Sequence, residues 1–476
     1  MNPSIATLLF IIGILGLFLL DRDKNVKTSW GLWVAVTWVA IAGSRPISQW
    51  LGSGQAGAMK NAAEYLEGNP FDRTVFTGLL VLGLIALAGR GRKVLQLLRT
   101  NWPIALFFAY CLASVLWSDY PDVSFKRWVK AFSDLVMVMI VLTEENPLGA
   151  IKRLLARVGF LLVPWSILLI KYYPAWGRAY NIWTWEPTYV GVTDHKNTLG
   201  MVCMVLAIGF LWRFLLAYRD HENPLRLRRL LVHGTLLGMA TWLFIQANSM
   251  TAKACFLLAA VFLIATSLDF VLHKRWLVQV MVFVLIAIPV CVLLLGVGGG
   301  ALEEMGKNAT LTGRTDIWKL VLAMAGNPII GTGFESFWLG NRADKMWSLY
   351  YFHPTQAHNG YIEMYLELGW VGILMLTGIV LTGYRNALAL LRTNPDEARI
   401  RLTFIAIALV YNVTEAGFRM MTLTWIFLLL SAMAVPDTVP EVAAEAIPEE
   451  DASRFEDWRQ SPQPVASLAR RRREAI

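Results

Sequence analysis

Apolar residues in this chain do not alternate with polar ones. They come in unbroken runs, most of them about 15–22 residues long, close to the ~20 residues that carry a helix across ~30 Å of hydrocarbon. In lipid every backbone N–H must find its partner inside the segment, so such runs fold as helices. Strand-length alternation of the barrel kind is absent. The pattern places thirteen spans, at 4–20, 29–43, 74–89, 102–117, 128–143, 158–173, 197–218, 231–248, 253–272, 277–297, 360–384, 402–414 and 420–436. The count is twelve if the last two form one element broken around Glu415, Gly417 and Arg419. The expectation is an all-α, polytopic membrane protein of about 12–13 transmembrane helices, with residues 1–436 as its membrane domain.

The first run has no basic segment before it and no small-residue cleavage site after it. Asp21, Arg22, Asp23 and Lys24 follow instead, so it reads as a span rather than a signal peptide.

Composition agrees with this reading. Hydrophobic residues make up 56% of the 476 and charged residues 16%, against roughly a quarter in soluble proteins. Mean hydropathy is +0.50. Cys111, Cys203, Cys255 and Cys291 all lie in apolar runs and read as small hydrophobes.

The net charge of +9 is spread over many short loops, which marks topology rather than a nucleic-acid partner. One alternating set holds Arg22/Lys24/Lys27, Arg90 to Arg99, Lys152/Arg153/Arg157, Arg219 to Arg229, Lys274/Arg275 and Arg385 to Arg401. By the positive-inside rule these loops are cytoplasmic. With thirteen spans the 437–476 tail joins them. Rich in Pro, Ala and Glu and ending in Arg470 to Arg473, it reads as disordered, either solvated or touching anionic lipid.

The opposite face carries the longer loops, at about 44–73, 118–127, 172–196 and 298–359. Basic residues persist there against the topological trend, which asks for a functional reason. In the longest loop, Thr312-Gly313-Arg314-Thr315-Asp316 opens a helical stretch that reaches about Ala325. Asn327-Pro328 stops it and Gly331-Thr332-Gly333-Phe334 turns the chain. Thr312 or Thr315 is the expected cap. Arg314, a cation near a helix start, needs an anion: a bound ligand, or Asp316 or Glu335.

His358-Asn359 precedes a membrane helix on which Glu363 and Glu367, four apart, share a face. His358 is either a base or ligand, or the helix cap. The glutamates either face a polar cavity or anchor an interface. His195-Lys196-Asn197 is a second polar cluster at a helix start. HExxH and CxxC are missing, and Asp21-Arg22-Asp23 reads as a solvated helix end, so no metal is expected. No Walker loop or GxGxxG opens a helix, and no cofactor is called for.

The segments SRPISQWLG (44–52), WSDYPDVSFKR (117–127), DHKNTLG (194–200), GRTDIW (313–318), NPIIGTGFESFW (327–338) and AHNGYIEMYLELGWVGI (357–373) resemble the O-antigen ligase/polymerase family. The resemblance runs from about residue 30 to 436 and is closest to the Wzy-type exopolysaccharide polymerases. It implies a class C glycosyltransferase-like fold in the bacterial inner membrane with a periplasmic active face. The implied donor is a glycan on undecaprenyl pyrophosphate. An acceptor hydroxyl displaces the lipid pyrophosphate, without metal or nucleotide sugar.

Carried onto this sequence, Arg314 and His358 match the family's functional loop as catalytic residues. Arg314, Arg127, Lys196 and Arg178 match as holders of the pyrophosphate, and His195, Asn359 and Glu363 as support. Arginine forks suit phosphate oxygens, and a histidine suits proton removal at neutral pH. Trp176, Trp183 and Trp185 stack on sugars or form an interfacial belt. Membrane lipid, a chain-length regulator and export machinery are the implied partners. The resemblance leaves open a ligase that moves a finished glycan onto lipid A core or a protein. Against a transporter or flippase, the sequence shows no inverted repeat and no paired broken helices.

Overall fold

The computed structural model describes residues 1–24, 26–52, 68–180, 185–272, 274–295, 310–350 and 352–436. Helix makes up 75% of the structure and strand almost none, so the chain is an all-α polytopic membrane protein. The helices are α1 (Pro3–Leu20), α2 (Gly31–Ala42), α3 (Pro70–Ala88), α4 (Gly91–Thr100), α5 (Trp102–Ala113), α6 (Pro121–Leu142), α7 (Pro147–Tyr172), α8 (Lys196–Arg219), α9 (Arg226–Ala247), α10 (Met250–Ala265), α11 (Arg275–Leu295), α12 (Thr310–Ala323), α13 (Gly340–Leu349), α14 (Gly360–Ala389), α15 (Pro395–Tyr411) and α16 (Leu423–Ala432). Each expected span overlaps one of them, and the end of the 277–297 span, 296–297, lies outside the described residues. Among the described residues, six helices are long and apolar enough to cross a membrane, or seven with the α4–α5 pair, which is bent by 91°. The basic stretch at 91–100, read as a loop, is the amphipathic helix α4.

Lipid-facing and core-facing helices differ as their sequences require. α1 exposes Ile5, Leu8, Ile12 and Leu15, whereas α7 and α8 are largely buried. Small residues let them approach: Gly159 of α7 lies directly under the Phe210 ring of α8. The 437–476 tail lies outside the described residues, as does Trp183.

The loops sort into two ends. At one end Arg213 reaches Asp21, Arg229 reaches Asp23 and Arg90 reaches Glu144. Asp21 and Asp23 are therefore paired, not a solvated helix end: the Asp21 side chain is only 8% exposed, and His233 lies beside it.

At the other end a hairpin of β1 (Arg178–Tyr180) and β2 (Pro187–Tyr189) sits between α7 and α8, with Arg178 opposite Tyr189. Arg45 ties it down. Its guanidinium donates to the carbonyls of Trp176, Gly191 and Thr193 and lies over the stacked Trp50 and Trp176 rings.

α14 is broken at Gly369 (φ 64°, ψ −160°). The break frees backbone groups, and the 327–333 strip satisfies them. Thr332 N–H donates to Leu366 O, Gly333 N–H to Glu367 O, Trp370 N–H to Pro328 O and Val371 N–H to Ile329 O. Irregular backbone among apolar helices survives only when protein groups pair it in this way.

Candidate functional site

α12 enters this end on a small apolar core of its own. Ile317 and Val321 pack with Phe337, Trp338, Met346, Ala357 and Leu366, and the Trp318 indole donates to Ala357 O. Arg314 precedes Ile317 and Val321 by three and seven residues, so it shares their inward face. The helix begins at Thr310, which puts Thr312 and Thr315 inside it rather than at its cap. Arg314 does find an anion, but it is neither Asp316 nor Glu335. Nη2 lies 3.0 Å from Glu415 Oε1, and Nη1 donates to Thr414 O.

His358 approaches the other oxygen of the same carboxylate, with Nδ1 3.2 Å from Glu415 Oε2. Asn359, not His358, caps α14: its Oδ1 accepts from Tyr361 N–H and Ile362 N–H, and its Nδ2 donates to Val413 O. The 412–422 loop is thereby fastened to the start of α14. Gly360 N–H donates to the carbonyls of Asn412 and Glu415, and Asn412 Oδ1 accepts from Gly417 and Phe418 N–H. Burial pushes the Glu415 carboxyl up. The His358 hydrogen bond and the Arg314 charge outweigh that, and it stays below the ordinary glutamate value.

The same loop carries Arg419, which grips buried Glu335 with two nitrogens, Nε at 3.3 Å and Nη2 at 2.9 Å. Arg127, nearly two turns into α6, adds a 2.7 Å bond to Glu335 O and lies 3.8 Å from its carboxylate. Burial raises the Glu335 carboxyl, but the two arginines bring it below its ordinary value. Stripping one partner from such a buried pair typically costs about 3–5 kcal/mol.

Glu363 and Glu367 do share a face; both are buried and brace the loop. Glu363 accepts from the Trp338 indole and from Ala357 N–H, and Glu367 from Glu335 N–H. Glu335 (φ 51°) and His358 (φ 51°) both hold left-handed backbone. L side chains adopt this rarely, at about 1–3 kcal/mol each, and such residues cluster at functional sites.

Of the sequence-predicted residues, Arg314, His358, Asn359, Glu363 and Arg127 are thus joined in one network. His195 caps α8 through Asn197 N–H and feels the charges of both Glu415 and His358, which puts the end of α8, with Lys196, at the border of the site. Arg178 is engaged with its own hairpin: Nε donates to Ile170 O and the guanidinium lies over Tyr189. Trp176 is committed to Trp50 and Arg45, and Trp185 is 78% exposed. Sequence reasoning offered Glu335 only as a partner for Arg314 and left Glu415 and Arg419 without a role. Their only signal was an acid and an arginine interrupting two apolar runs.

Residues 236–377 match the family model described as O-antigen ligase. The exopolysaccharide production protein ExoQ of Rhizobium meliloti (strain 1021) is 22% identical over 331 residues, which cover 67% of this chain and 73% of that protein. Over these stretches the chain is similar to the O-antigen ligase/polymerase family. The family match contains Arg314, Glu335, His358, Glu363 and Glu367. It ends before Glu415 and Arg419, so the network reaches beyond the matched segment. These similarities support a polysaccharide-related ligase or polymerase, and so an enzyme in general. Its setting is that of a multi-pass membrane protein, which fits a lipid-linked glycan as partner.

Proposed function

We propose that this protein polymerises undecaprenyl-pyrophosphate-linked repeat units into exopolysaccharide on the periplasmic face of the inner membrane. The observation that carries the reading is Glu415, which holds His358 and Arg314 on its two oxygens. An ionised carboxylate only accepts, so Nδ1 of His358 carries the proton and Nε2 presents a lone pair. The acceptor hydroxyl gives its proton to Nε2, its oxygen bonds to the anomeric carbon, and the bond from that carbon to the phosphate oxygen breaks. A single displacement inverts the anomeric centre.

Charge then builds on the departing pyrophosphate. Among the described residues, two of Arg314's five N–H groups are taken by Thr414 and Glu415, and the rest of the fork suits phosphate oxygens. Arg127, Lys196 and Arg178 supply further positive charge around the leaving group. His195, Asn359 and Glu363 hold the frame. Fixed cations do here what a metal does elsewhere, so chelation of divalent ions leaves turnover intact.

The printed name of the relative, an exopolysaccharide production protein, favours polymerase; the description of the family model favours ligase. Purified protein given only lipid-linked repeat units decides. A ladder of multimers supports polymerase, and no product until lipid A core is added means ligase. Loss of activity with EDTA, recovered with magnesium, would overturn the metal-free mechanism.

A further inference from the structure

The other end of the bundle holds a polar cavity of about 580 Å³, walled by the ends of α1 and α8 and the starts of α7, α9 and α15. α8 spans 24 residues, about 36 Å, between His195 at the candidate site and Arg219 at this cavity. α15 likewise has Arg399 in the cavity wall, and Glu415 lies past its far end.

Three of the wall's cations are matched by carboxylates: Arg213 by Asp21 at 2.8 Å, Arg229 by Asp23 at 2.7 Å, and Arg399 by Asp396. The fourth aspartate, Asp220, accepts from Asn223 at the exposed rim. Arg153 and Lys152 differ. Arg153 spends its donors on neutral oxygens, the Thr28 hydroxyl and the carbonyls of Asp23 and Val26. The Lys152 ammonium lies 5.6 Å from the centre of the Trp212 ring. Among the described residues neither forms an ion pair. With Arg219 the wall carries six cations against four aspartates, a surplus of two positive charges.

Neutral oxygens satisfy hydrogen bonds without cancelling charge, and a partly desolvated cation gains most from an anion. Two surplus charges match a doubly charged phosphate better than a single carboxylate. The cavity opens among basic helix ends, the level at which lipid headgroups lie. We propose that this cavity binds a phosphate-bearing anion, with Lys152 and Arg153 as its principal ligands, on the face opposite the candidate site. The same chemistry is offered by an anionic lipid headgroup and by a free diphosphate.

The test is titration of full-length protein, in nanodiscs of phosphatidylcholine, with inorganic pyrophosphate. Saturable binding that weakens with salt is expected. It weakens about tenfold in Lys152→Gln, the loss of one charged contact, and recovers in Lys152→Arg. It persists in Arg314→Gln, which removes the candidate site's own cation. Asp220→Asn, which deletes an acid at the exposed rim, tightens it. Adding cardiolipin to the nanodisc identifies the source: if pyrophosphate is displaced the occupant is a lipid headgroup, and if its binding is unchanged the occupant is a free solute. Binding lost in Arg314→Gln and kept in Lys152→Gln belongs to the candidate site and overturns the proposal, as does no binding to wild type. Should Lys152→Gln fail to fold, an Asp220→Asn protein that binds no more tightly than wild type overturns it alone.

Discussion

His358 and Arg314 meet through one carboxylate: Nδ1 of the histidine lies 3.2 Å from Glu415 Oε2, and Nη2 of the arginine 3.0 Å from Oε1. Their positions are therefore not independent. Glu415→Gln keeps the side chain's size while removing its charge, and it loosens both at once. Turnover should fall about 10²-fold or more, the scale of an impaired general base, with expression and monodispersity preserved. Product formed per folded molecule is the measurement. Turnover equal to wild type would reduce Glu415 to a brace for its loop.

Arg314 and His358 should separate by the step they serve. Arg314→Lys keeps the charge and loses the planar fork, so turnover should drop ~10²–10³-fold. His358→Ala should lose ~10²–10⁴-fold in turnover yet still bind the lipid-linked donor, because a base touches the acceptor proton and not the diphosphate. Product formation, donor binding and membrane expression are read together. A well-expressed His358→Ala protein at wild-type rate removes the histidine from the mechanism.

The depressed carboxyls predict how the fold responds to acid. Glu335 and Glu415 lie below the ordinary value of 4.5 in the folded state. Their contribution to stability is therefore complete above about 4.5 and is lost as pH falls through the lower folded values. The thermal midpoint should be flat between about pH 7 and 5 in respect of these groups and drop below about 4.5. Glu335→Gln should start lower, since Arg419 and Arg127 lose their counterion, and respond less to acid. An equally steep acid limb in that variant would assign the transition to other groups.

The broken helix offers a packing test. A Cβ on Gly369 would sit 2.3 Å from the Ile329 carbonyl carbon, and one on Gly331 2.3 Å from that of Glu367; both residues have positive φ. Left-handed strain and overpacking together are worth about 2–6 kcal/mol. Gly369→Ala and Gly331→Ala should each give little monodisperse protein. Gly378→Ala, on the same helix with open space around it, should behave as wild type. Normal yields from either of the first two variants would mean that the strip and the helix can part without harm.

The membrane helices were legible because lipid leaves a chain few options. A run of apolar residues long enough to span must be helical, whatever its neighbours are, and α4 escaped only because its apolar residues cover one face. Arg314 stood out as a cation near a helix start, and His358 as a histidine just before a membrane helix. Their shared partner did not, since Glu415 follows the far end of α15 and becomes their neighbour only through the fold. The pairing of Asp21 with Arg213 was hidden for the same reason: an acid after a helix looks solvated until another helix end closes over it. Arg45 was one basic residue among those at the start of an outer loop and proves to be the peg of the hairpin, a role set by three carbonyls that carry no mark in sequence.

His358 stands in left-handed backbone, and this changes what its replacements mean. Alanine removes the imidazole but inherits a main-chain conformation that it dislikes, so an alanine variant mixes lost chemistry with altered local folding. Asparagine tolerates that region far better than most L residues, and glycine adopts it freely. The cleaner control is therefore a series. Glycine deletes the ring and releases the backbone, asparagine keeps the turn and offers no base, and alanine shows by difference what the bent main chain alone contributes. At this position the usual blank of mutagenesis is itself a perturbation, and the imidazole is held in place by a turn that the rest of the protein imposes on it.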